Sequence, residues 1–133
     1  MAIIQDRFIK ILEQLGISYS HEENSFMFGL DRDGLGINYV FEIREEDKMI
    51  IAKSACLRKI NENNVKVTEF CNTWHQSWSK LKLFWYNGKL FCDWCWDLPD
   101  EVSDKYLTAT IILSFIELST DCYRKAEESG VFA

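Results

Sequence analysis

Apolar positions along this chain change period several times, and each change marks an element. Ile4, Phe8, Ile11, Leu12 and Leu15 recur every three or four residues, which puts them on one face of a helix, and Gly16 follows as the residue that ends it. The period then drops to two. Phe26, Phe28 and Leu30 alternate within SFMFGL; beyond the turn-rich DRDGLG, Ile37, Tyr39, Phe41 and Ile43 alternate with Asn38, Val40, Glu42 and Arg44. The EEDK turn leads into MIIAKSACL, a third β-prone run, and the short loops between the runs favour an antiparallel meander. Helical spacing returns over about residues 63–80, where Val67, Phe70, Cys71, Trp74 and Trp78 share one face.

The next segment predicts its own register. Asn87-Gly88 between alternating apolar runs predicts a two-residue type I′ turn. It pairs Tyr86 with Lys89, Trp85 with Leu90, Phe84 with Phe91, Leu83 with Cys92, and Lys82 with Asp93. An opposite-charge pair and an aromatic pair then fall in line, which supports the register independently. One face holds Leu81, Leu83, Trp85, Leu90, Cys92, Trp94 and Trp96; the other holds Lys82, Asp93, Phe84, Phe91, Cys95 and Asp97. Pro99 ends the strand, and Asp100 or Ser103 can cap a last helix running to about Glu128. Its stripe is Leu107, Ile111, Ser114, Leu118 and Cys122, but Ala109, Ile112, Leu113 and Ile116 make its middle apolar nearly all round. The expected fold class is α+β in a single domain over residues 1–133: helix, antiparallel three-stranded meander, helix, β-hairpin, long C-terminal helix.

Composition narrows the function classes. A formal charge of −6 argues against a sequence-independent grip on nucleic acid or anionic lipid, and Lys80, Lys82 and Lys89 are interleaved with acids. Asp6 and Glu13 interrupt the apolar pattern of the first helix, so it has no signal-peptide core, and no run is long enough to span a membrane. Five cysteines without an export signal read as reduced thiols, and the expected location is cytoplasmic. All five Trp fall between Trp74 and Trp96, which predicts a dense aromatic centre built from the middle of the chain.

Candidate chemistry begins with Cys92-Asp93-Trp94-Cys95. Thiol–disulfide exchange needs such a pair at the start of a helix, where the dipole lowers the thiol pKa. Here the pair lies inside a strand, so Cys92 joins the core while Cys95 faces away with Asp93 and Asp97. Cys71 and His75, four residues apart on the preceding helix, complete a zinc quartet with Cys92 and Cys95 on paper, but their predicted faces diverge. DRDGLGINYVFE imitates a calcium loop through Asp31, Asp33, Gly36 and Glu42, yet Leu35 and strand-like flanks favour a hairpin turn. The only histidines are His21 and His75, and no nucleophile elbow or phosphate loop occurs. The chain is expected to be a non-enzyme without a cofactor. A small zinc or thiol protein using Cys71, His75, Cys92 and Cys95 is the first alternative, and a small-ligand sensor with an aromatic core the second.

The segment CNTWHQSWSKLKLFWYNGKLFCDWCWDLP, in this order of elements, resembles the YbjN family, whose members look like type III secretion chaperones in fold. In that family the central helix ends in an Asn-x-Trp-Asn-like stretch before a hairpin. Asn72-Thr73-Trp74-His75 matches it, with His75 in place of the last Asn, and LGISY over residues 15–19 fits the family's opening. The resemblance implies a cytoplasmic, non-enzymatic bacterial sensory transduction regulator with a chaperone-like, protein-binding surface. It also implies a homodimer with a polypeptide client, while the charge and hydropathy lead to the expectation of no nucleic-acid or membrane partner. The apolar surplus at Phe84, Phe91, Leu113 and Ile116 is the candidate partner-binding set.

Overall fold

The computed structural model describes residues 3–61, 65–77 and 80–133. Helix α1 (Ile3–Gln14) buries Phe8, Ile11 and Leu12. Gly16, at φ 73°, lets the Ile17 N–H turn back to the Leu12 carbonyl and close the helix, as the sequence predicts. The strands follow as β1 (Ser20–Glu22), β2 (Ser25–Arg32), β3 (Leu35–Arg44) and β4 (Met49–Cys56). Helix α2 (Val65–Gln76) leads to the hairpin of β5 (Lys82–Tyr86) and β6 (Lys89–Asp97). A π-helical run, Tyr106–Leu113, then continues into α3 (Ser114–Glu128).

The α+β architecture is the one expected, with two differences. The meander has a fourth strand, because Ser20–Glu22 pairs with β2 through the tight turn at Glu23 and Asn24. All three of its residues are exposed and none is apolar, so no alternation announces it. The meander and hairpin also fuse into one six-stranded antiparallel sheet, ordered β1-β2-β3-β4-β6-β5, because β6 lies beside β4. The hairpin register is the predicted one at every pair, with Asn87 at φ 52° and Gly88 at φ 78° in its turn. The calcium-like segment is likewise a hairpin turn, with Asp33 and Gly34 at positive φ and the Gly34 N–H bonded to Asp31 Oδ1.

Helices α1 and α3 pack on one face of the sheet. Phe8 stacks on Phe26 with centroids 5.2 Å apart and meets Phe41 edge-on at 5.4 Å. From α3, Phe115 meets Tyr39, Phe41 and Trp96 edge-on. The aromatic centre is therefore mainly phenylalanines and Tyr39, and among the described tryptophans Trp96 alone is buried in it. Trp74 and Trp94 are half-buried, and Trp85 is 37% exposed. A tryptophan is large and its N–H wants a partner, so it settles at the margin of a packed layer; Trp74 Nε1 donates to the Leu81 carbonyl there. Trp78 and Asn63, assigned to the central helix by spacing, lie outside the described residues.

Ser103, not Asp100, caps the last helix: its hydroxyl accepts the Tyr106 N–H at 3.0 Å, while Asp100 pairs with Lys48. The π-helical run rotates α3 relative to the course of a regular helix. Ser114 and Leu118 are thus only half-buried, and Phe115, Ser119 and Tyr123 face the sheet most deeply. Within that apolar contact the Ser54 hydroxyl bonds to the Tyr123 hydroxyl at 2.7 Å and donates to Ser119 at 3.3 Å. Among the described residues no helix is long and apolar enough to cross a membrane.

Candidate functional site

The helices leave the second face of the sheet uncovered by any described element, and strand alternation puts every other residue there. One row across it runs Phe84, Phe91, Ala55. The next runs Lys82, Asp93, Lys53, Val40, Met27. On the other side of the aromatic row Tyr86 pairs with Lys89, and Leu57 lies over Gly36, where any Cβ would crowd its Cδ1 at 3.1 Å. The Phe84 and Phe91 rings stack 5.2 Å apart, and Phe84 is 42% exposed. With Leu57 and Tyr86 also exposed, this corner gathers apolar surface that nothing in the described chain covers.

The same corner ends in a strand edge. Leu83 N–H points away from β6 and donates to His75 Nε2 at 3.1 Å, while the Leu81 carbonyl accepts from Trp74. Helix α2 thus caps the first part of the β5 edge through the NTWH stretch, with His75 acting as an acceptor. Antiparallel alternation turns the backbone groups of Trp85 outward as well, beyond the reach of those two side chains.

The four residues singled out by sequence do not share one surface. Phe84 and Phe91 stand together on the open face. Leu113, 40% exposed, lies on the π-helical run across the molecule, and Ile116 is in the core at 3% exposure. Lys53 and Leu57 complete the corner without any local signal, because they come from β4 and its extension, whose neighbour is set by long-range pairing.

The cysteines separate as the strand register requires. Cys92 is sealed in the core and Cys95 is exposed on the open face. His75 is engaged with β5, and among the described residues no cluster of three or more His, Cys, Asp or Glu could hold a metal. Cys92 instead faces Cys122 on α3, an approach between β6 and α3 that spacing alone does not show. Hydrogen bonding to Cys92, then burial, pushes the Cys122 thiol far up. Burial pushes Cys71 up to about 11 and raises Cys56 too. Such thiols stay protonated at neutral pH and are poor nucleophiles.

Two further depressions carry polar linings. Between α2 and α3 a groove of about 580 Å³ is walled by Phe70 and Trp74, with the Lys125 ammonium 5.8 Å from the Trp74 ring centroid. Another, beside Gln5 and Asn24, is lined by Glu45, Glu46 and Asp47. Glu45 also anchors the first helix, since its Oε1 accepts the Ile4 N–H at the start of α1.

No family model matches the chain, and no curated protein matches its sequence. In three dimensions it is similar to a chain in the crystal structure of the ExsC–ExsE complex. The TM-score is 0.54 at 12% sequence identity, over 90% of this chain and 92% of that one. At that identity the likeness is one of fold.

Proposed function

We propose that this chain is a non-enzymatic polypeptide-binding module of the YbjN kind, with a type III secretion chaperone-like role, acting as a cytoplasmic homodimer. The observation that carries the reading is the stacked Phe84–Phe91 pair on a sheet face without a covering layer. The partly open β5 edge adds main-chain groups that an extended client can pair with. The fold shared with a chain of a protein–protein complex supports the same reading. Buried, protonated thiols and a His75 committed to β5 favour binding over chemistry.

Cross-linking with affinity capture tests the client, and sedimentation velocity tests the dimer. The expected result is a dimer whose Lys82 or Lys89 cross-links to a recovered polypeptide, with capture lost in Phe84→Ser. A monomer that captures nothing removes the reading.

A further inference from the structure

We propose that the Phe84–Phe91 corner receives an extended acidic segment of a partner polypeptide, patterned acidic-x-apolar-x-acidic. The inference rests on the polypeptide-binding reading and adds the chemistry of the partner.

The sign of the charge around the corner is the starting point. In a chain of formal charge −6, the side chains flanking the aromatic pair on the open face are Lys82 and Lys53 on one side and Lys89 on the other. They come from three different strands, so their clustering is a product of the fold. Asp93, between Lys82 and Lys53 in register, is the one acid among them. Among the described residues Lys53, Lys82 and Lys89 form no ion pair, whereas Arg58, just past Leu57, is held by Glu127. The acids Glu22 and Glu23 lie at β1, the opposite edge of the sheet from β5, and Glu45, Glu46 and Asp47 lie in the β3–β4 turn at its middle.

Spacing supplies the pattern. Lys82, Phe84 and Tyr86, with Lys89 beside the last, step along β5 at the two-residue repeat of a strand, about 7 Å. An extended segment laid along the strand has the same repeat. Its central apolar side chain meets the Phe84–Phe91 rings while carboxylates two residues to either side meet Lys82 with Lys53, and Lys89. A second copy presenting this corner brings lysine against lysine, which disfavours self-pairing here.

The test uses the full chain and two labelled probe peptides, a short Glu-Ser-Phe-Ser repeat and its Lys-Ser-Phe-Ser counterpart, read by fluorescence anisotropy at low and high salt. The Glu peptide is expected to bind about tenfold or more tighter, and to weaken as salt rises. The double variant Lys53→Glu/Lys82→Glu, at exposed positions and with its fold checked by circular dichroism, is expected to invert that preference. Phe84→Ser is expected to weaken the Glu peptide by about tenfold. Failure of the Glu peptide to bind, equal binding of both peptides, or indifference to the double reversal overturns the proposal. Tighter binding of phosphatidylserine vesicles or a DNA oligonucleotide at the same corner does so as well, as does a dimer that Phe84→Ser dissolves. If capture recovers a client through Phe84 while the Lys peptide is preferred, the binding reading stands and the acidic-partner inference alone falls.

Discussion

The two faces of the sheet are made by the same strands and obey different rules. Phe41 is completely buried while its neighbour Val40 is half-buried, and Cys92 is sealed while Cys95 meets solvent. On the helix side, volume decides: Phe8, Phe26, Phe41 and Phe115 interlock, and removing one leaves a void. On the open side, pairing and charge decide, and a side chain is held by its cross-strand neighbours alone. The difference shows that one alternating strand can carry the packed core on every second position and leave the positions between on an open surface.

The comparison breaks most visibly in the core. Phe41→Ala is expected to cost about 3–5 kcal/mol in urea denaturation, and a loss under about 1 kcal/mol would mean that the phenylalanine cluster is not the centre of the fold. Alkaline pH attacks the same layer through its titratable groups. Burial raises Tyr39 to about 12 and Cys71 to about 11, and it pushes the Tyr123 hydroxyl up too. The folded state keeps protons that the unfolded chain has already lost. Stability is therefore full below about pH 9 and falls as pH climbs through 11 and 12, by up to about 1.4 kcal/mol per group for each pH unit. Urea midpoints against pH check this, and Tyr39→Phe should flatten the slope above pH 10.

A smaller loss is expected at the polar inclusion of the core. Ser54→Ala removes the hydroxyl bonded to Tyr123 and should cost about 1–3 kcal/mol by the same measurement. On the open face Phe84→Ala is expected to cost under about 1 kcal/mol while abolishing client capture, which separates binding from folding. If it unfolds the protein instead, the face is structural. A thiol-reactive label read by intact mass sharpens the contrast without any mutation. One label should enter the native protein, at Cys95, with Cys92 reacting only in denaturant.

Legibility in the sequence tracked the range of the interaction. The hairpin register could be read to the residue because Asn87-Gly88 and its flanking pairs are local. Helix α1 announced both its face and its glycine stop. Strand β1 could not be read, since Ser20, His21 and Glu22 have no apolar member; only the stacking of His21 on Phe26 and the pairing with β2 define it. The β4–β6 pairing is long-range, so the fusion of meander and hairpin was hidden, and with it Lys53 and Leu57. In Tyr106–Leu113, where apolar residues occur nearly all round, periodicity could not reveal the wider π turn that exposes Leu113 and sends Phe115 inward. For the site, the aromatic pair was legible and the lysine rim was not.

A greasy helix resting on a greasy sheet has many nearly equivalent seats. The hydroxyls of Ser54, Ser119 and Tyr123 remove that freedom for α3, because a slip by one residue strands them in hydrocarbon at about 1–3 kcal/mol each. They act as a keyed joint: the helix has one detent on β4.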